Sequence, residues 1–155
     1  AVLEVCNDPE LDLRAPAVSQ AYARGDLCVG AFQKEALVGY CWLAFSPLPH
    51  LDGVWVRFAP TTAWLYKSFV RTSHRGRGIA PALYAHGDQA CAERGRRHSV
   101  ICVESHNQPS VRAALGAAYR ASGYGGYVLR AMPLSTWCTP AAKRHGIAFF
   151  LPRLA

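Results

Sequence analysis

Residues 69–80, reading FVRTSHRGRGIA, constrain the fold more tightly than any other stretch of this chain. Residues 64–70 are strand-like, and residues 79–94 have the pattern of a helix. In the loop that joins them, Arg75 and Arg77 alternate with Gly76 and Gly78. Strand, glycine loop and helix in this order aim main-chain N–H groups at an anion. Glycine permits close approach, and a helix start offers unpaired donors and the positive end of its dipole. The arginines add charge-assisted bonds suited to phosphate oxygens. The stretch therefore predicts a pyrophosphate cradle. A P-loop is excluded, because the chain contains no Gly-Lys-Ser/Thr. The dinucleotide pattern G-x-G-x-x-G would start at Gly76 and Gly78 but meets Pro81 at its third glycine. Its partner acid would be Glu93, which lies inside the helical run.

What fits is R-x-x-G-x-A, Arg75 to Ala80, with Val70 five residues before the arginine. Further on, Asn107 and Ser110 precede Tyr119, which stands four residues before Gly123-Tyr124. The first segment resembles the acyl-CoA-binding signature of the GNAT superfamily of N-acyltransferases. The second resembles that family's "N…S…Y…G-aromatic" segment. Together they span Val70 to Tyr124.

The resemblance implies an α/β fold, a mixed and mostly antiparallel sheet with helices on both faces, and acetyl-CoA (or another acyl-CoA) as co-substrate. It makes Arg75, Gly76, Arg77, Gly78, Ile79 and Ala80 the diphosphate site. The strand ending at Val70 would lie along the pantetheine arm, with backbone groups of Phe69 and Val70 on its amides. The Val70 N–H would polarise the thioester carbonyl. Tyr119 would be the general acid for the departing thiolate, a phenol of pKa about 10 serving a thiol of about 8.5. Asn107 and Ser110 would hold the pantetheine or cap the following helix. Many relatives carry a glutamate on the strand before the cradle, and residues 64–70 contain no acid. Glu104, at the end of the next strand, is the first substitute as base, ahead of Tyr66, His50 and Asp52.

The net charge of +7, from 17 basic and 10 acidic residues, attracts anions in general. Part of it surrounds the cradle, in Arg71, His74, Arg75 and Arg77. Another part, Arg94, Arg96, Arg97 and His98, follows a helix end and suits its dipole. An alternative reading is a basic nucleic-acid-binding module, but no aromatics interleave with the arginines. A second alternative is a catalytically degenerate acyl-CoA-binding domain, supported by the missing strand carboxylate. The six cysteines stand singly, none with zinc-ligand spacing, so no metal is expected and a reduced, cytoplasmic protein is inferred. No apolar run approaches the roughly 18 residues of a membrane helix. The acceptor expected is the amine of a small molecule or amino acid, since Asp52 is the one acid among the aromatics of residues 40–55 (Trp42, Phe45 and Trp55 among them). Exposed sheet edges make a homodimer an expectation as well.

A single domain over residues 1–155 is predicted, with what precedes Ala1 left open. Residues 2–6 predict a first strand. Asp8-Pro9 predicts a helix start, with the helix interrupted at Pro16 and stopped at Gly25. Residues 27–32 and 37–45 predict a hairpin, and residues 46–52, with two prolines, a loop. Residues 54–58 and 62–71 predict a second hairpin around Ala59-Pro60. A strand over 99–104 and a helix over 109–121, stopped by Gly123, come next. Residues 127–131 and 147–151 predict closing strands, joined by a connection over 133–146.

Overall fold

The computed structural model describes residues 5–6, 8–51, 53–128 and 135–152. Its main sheet is built from β1 (Leu27–Gln33), β2 (Ala36–Ala44), β5 (Thr62–Val70) and β6 (His98–Ile101), in the order β1-β2-β5-β6. The first three strands are antiparallel neighbours, and β6 joins β5 in parallel. β2 is buried on both faces from Leu37 to Ala44, which explains its unbroken apolar sequence. Tyr40 and Trp42 pack towards α1 (Ala15–Ala23), whereas Cys41 and Leu43 pack towards α2 (Ile79–Glu93). α2 lies close because of Gly87, where an added Cβ would meet the Leu43 side chain at 3.3 Å.

Two features of β5 shape the site. Trp42 pairs with Tyr66 and Cys41 with Ser68, so Lys67 is an extra residue. Its φ of 38° and its ion pair to Asp12 (3.1 Å) mark a β-bulge that bends the strand. β6 accompanies β5 only along Thr62–Leu65, opposite His98–Ile101. Beyond Leu65 the two strands part.

A smaller sheet, β3-β4-β9, joins β3 (Leu48–Leu51), β4 (Val54–Arg57) and β9 (Ala148–Phe150). It packs Val54, Val56 and Phe149 around Trp64 on the α1 side of the main sheet. The loop expected at 46–52 is thus partly a strand, and Pro49 is tolerated because β3 lies at an edge. The hairpin expected between 54–58 and 62–71 does not form, because β4 and β5 lie in different sheets. β7 (Gly125–Val128) pairs with β8 (Ser135–Cys138), and α4 (Pro140–Lys143) follows within the expected connection. The first strand expected at 2–6 falls largely outside the described residues, as do 129–131 of a closing strand.

The helix starts differ from expectation too. α1 begins at Ala15, so Pro16 sits in its first turn, where no intrahelical partner is lost. Asp8 accepts from the Glu10 N–H in a preceding turn. α3 (Gln108–Gly116) also ends early. The Tyr119 N–H reaches the Ala114 carbonyl and the Ala118 N–H reaches Leu115, with Ala118 left-handed at φ 63°. That is a Schellman stop with alanine in the glycine position. The helix therefore does not run to Ala121, and Gly123 does not end it.

Candidate functional site

The cradle leaves β5 at Val70, makes a 3-10 turn over Thr72–His74 and enters α2 through Gly78. Gly76 and Gly78 both have φ of 74°, a conformation costly for any residue with a Cβ. Among the described residues, the N–H groups of Gly76, Arg77, Gly78, Ile79 and Ala80 have no protein acceptor. Pro81 has no N–H to add. Residues 75–78 are exposed, so this run of donors opens to solvent at a helix N-terminus. Such an array fits a diphosphate, with Arg77 beside it for charge. The Arg75 guanidinium lies 5.8 Å over the Phe69 ring, and its Nε donates to the Val70 carbonyl at 3.1 Å.

Arg71 does not belong to this array. Its Nε donates to the Leu37 carbonyl at 2.8 Å, and its other nitrogens pair with Asp8 and Glu10. The Glu10 N–H and the Arg71 guanidinium hold the Asp8 carboxyl below its ordinary range. Arg71 thus ties the cradle to the 8–10 turn, and its charge is cancelled. A basic module relying on Arg71 to contact phosphates loses that residue.

The Arg71 N–H donates to Val38 at 2.9 Å, which sets the alternation along β5. Phe69, opposite Tyr40, turns its main chain to β2, and its ring stacks on Tyr40 at 6.0 Å. Val70 turns its N–H the other way, into the gap left by β6. Of the two backbone contacts expected for a pantetheine arm, Val70 faces the gap and Phe69 faces away.

Tyr119 is not brought to Val70. Its hydroxyl donates to the Asp88 carboxylate at 2.5 Å and bonds Ser99 at 2.9 Å. Ser99 pairs with Ala63, at the closed end of the β5–β6 pair, seven positions before Val70. Burial, then the Asp88 hydrogen bond, pushes the phenol well above its ordinary value. With the αL stop at Ala118, the aromatic after it is Tyr119 itself, and the position four residues before the stop is Ala114. Asn107 is the N-cap of α3, its side chain accepting from the Ser110 N–H at 3.2 Å, which is the capping role expected.

Glu104 lies past the end of β6, its side chain 60% exposed and paired with His106 at 3.2 Å. Its charge reaches His50, whose ring packs on Phe149 at 5.2 Å. Burial lowers the His50 pKa, and Glu104 partly offsets this. Tyr66 is occupied differently: its hydroxyl donates to Asp26 Oδ2 at 2.7 Å, which also accepts from Arg24 at 2.7 Å. The Asp26 side chain is fully buried, and its Oδ1 has no partner among the described residues. Nothing in the local pattern of Arg24-Gly25-Asp26 announces this carboxylate. Its position depends on α1 ending beside β5. Trp42 is core, and Asp52 falls outside the described residues.

A groove of about 1150 Å³ lies elsewhere, between β6, α3 and the β7–β9 region, and includes none of residues 66–80. It follows from β6 being the edge strand of the main sheet. No cluster of metal-ligating side chains occurs among the described residues, and none of their helices is long and apolar enough to cross a membrane.

The fold recurs in known proteins. Over 82% of this chain and 89% of the other, it is similar to a transcriptional regulator from Bacillus halodurans (TM-score 0.59, 18% identity). It is also similar to AAC(6′)-Iy bound to a CoA-containing bisubstrate analogue (0.56, 15% identity, 76% and 78% covered). A third is a ribosomal-protein-alanine N-acetyltransferase from Brucella melitensis biovar Abortus (0.55, 19% identity, 83% and 95% covered). At these identities the likeness is one of fold. A search of curated proteins finds no match. The sequence profile of the acetyltransferase (GNAT) family matches residues 3–119, from the first residues through β5, the cradle and α3 to Tyr119. The parted strands and the cradle thus belong to a recognised lineage: this chain is a member of the GNAT acetyltransferase family.

Proposed function

We propose that the chain transfers an acetyl group from acetyl-CoA to the primary amine of a small molecule or amino acid. The observation that carries this reading is the run of unpartnered N–H groups from Gly76 to Ala80, opening at a helix start beside the gap between β5 and β6. The coenzyme diphosphate occupies that run, with Arg75 and Arg77 beside it. The pantetheine arm enters the gap, and the Val70 N–H donates to the thioester carbonyl as it gains negative charge. Attack by the amine is direct, with no covalent enzyme intermediate.

Glu104 takes the proton that frees the amine, since it stands three residues past the end of β6 with its side chain exposed. Tyr119 has a structural part in this reading: its proton is committed to Asp88, and its hydroxyl stands at the wrong end of β5 for the thioester. Asn107 and Ser110 start α3. Calorimetric titration with acetyl-CoA, followed by thiol release across a panel of primary amines, tests the proposal. Saturable binding and turnover of one class of amine are expected. Absence of binding would remove the reading.

A further inference from the structure

The position that should carry a phenol near the thioester is Ala114, a methyl group, so the departing thiolate needs another donor. Ser68 is the first residue past the Lys67 bulge, where β6 no longer accompanies β5. Its hydroxyl lies 2.8 Å from that of Tyr84. Tyr84 comes from α2 and is 1% exposed, its ring edge-on to Tyr119 at 6.1 Å, which places it on the side of α2 facing β6 and α3. Ser68 shares the α2 face of β5 with Val70, two residues on, whose N–H faces the gap.

We propose that Ser68, oriented by a hydrogen bond from Tyr84, passes the proton to the departing thiolate. This rests on the acyl-CoA reading above. Glu104 first takes a proton from the ammonium, leaving a neutral amine. The amine nitrogen bonds the carbonyl carbon and becomes positively charged. As the carbon–sulfur bond breaks, its electron pair goes to sulfur. Ser68 delivers its hydroxyl proton to sulfur and receives one from the adduct nitrogen, so the amide and the free thiol leave with Ser68 unchanged. Tyr84 keeps its own proton throughout, because burial raises its pKa, and it serves as a positioning residue that fixes the Ser68 lone pair. No buried phenolate forms.

The first test needs no acceptor. CoA itself is the probe, and ionisation of its bound thiol is followed by thiolate absorbance. Donation from Ser68 lowers that pKa, and Ser68→Ala should raise it by about one unit, the size of a lost hydrogen bond to a charged atom. With the best amine of the panel, Ser68→Ala should lower kcat about 100-fold while leaving the acetyl-CoA KM within about twofold. Ser68→Thr, which keeps the hydroxyl, should recover most of it, and Tyr84→Phe should fall between. If Tyr84→Phe fails to fold, the Ser68 pair still decides. CoA binding with an unmoved thiol pKa and unchanged kcat in Ser68→Ala would overturn the relay alone. No CoA binding by the wild-type chain would overturn the acyltransferase reading and this one with it.

Discussion

Ala118→Gly decides where α3 stops, and with it which residue occupies the phenol position. Ala118 is exposed, with φ of 63°, at the C′ position of a Schellman stop. Left-handed geometry costs a residue with a Cβ about 1–2 kcal/mol. Glycine removes that cost but gives the unfolded chain about 0.5–1 kcal/mol of extra freedom. The methyl faces solvent, so little burial is lost. The net effect is stabilisation by roughly 0.5–1 kcal/mol. For a chain of 155 residues this raises Tm by about 2–4 °C per kcal/mol. Had the helix run through to Gly123, position 118 would be helix interior and the same substitution would cost about 1 kcal/mol. The two arrangements thus predict opposite signs, and one calorimetric or circular-dichroism melt separates them. A lowered Tm would refute the Schellman stop and return Tyr119 to the helix, with Ala114 no longer at the phenol position.

Tyr119→Phe should cost about 1.5–3 kcal/mol of stability, the worth of a hydrogen bond to a charged group, while leaving CoA affinity and turnover unchanged. A variant with normal Tm and lost turnover would contradict this. The Tyr119 contribution to stability should be full below pH 10 and fall above it, because the unfolded chain loses the Tyr119 proton near its ordinary pKa while the folded chain retains it; the buried Cys28 and Cys41 thiols, pushed up to about 12, add a fall that begins nearer pH 9. Tyr119→Phe should make that alkaline slope shallower in urea titrations, while Tyr40 and Tyr66, raised in the same direction, keep part of it. His50, lowered by burial, works in the opposite direction: stability should drop as pH falls below about 6.5, where the unfolded chain binds a proton that the folded one resists. His50→Gln should remove that acid limb in the same titrations. Gly78→Ala, at φ 74° with open space around it, should melt a few degrees lower by the left-handed cost alone, and should weaken CoA about 10–100-fold in calorimetry by disturbing a charge-assisted donor. Unchanged affinity would place the diphosphate elsewhere.

What could be read in advance was local, and what could not depended on pairing across the chain. β1, β2, β5, the glycine loop and α2 each announce themselves through alternation, a turn or a glycine at a forced position. Pro49 reads as a loop residue until β3 is known to be an edge, and β4 reads as the partner of β5 until β9 claims it from far along the chain, with Val56 opposite Phe149 and Arg57 opposite Ala148. Arg71 looks like a phosphate ligand because arginine beside glycine is cationic in any sequence, whereas its partners Asp8 and Glu10 come from the other end of the chain. The shifted phenol position has a different cause. A helix stop is sought at glycine because glycine bears φ > 0 without strain, and α3 stops at an alanine that does bear the strain. Reading the glycine at 123 as the stop shifts the whole segment by five residues and lifts a half-buried, carboxylate-bound tyrosine into the catalytic role. Once the stop moves to Ala118 the phenol position holds a methyl, and the donor proposed in its place is Ser68 with its partner Tyr84. Those two residues are 16 apart in sequence, and only the bulge at Lys67 and the course of α2 along β5 make them neighbours.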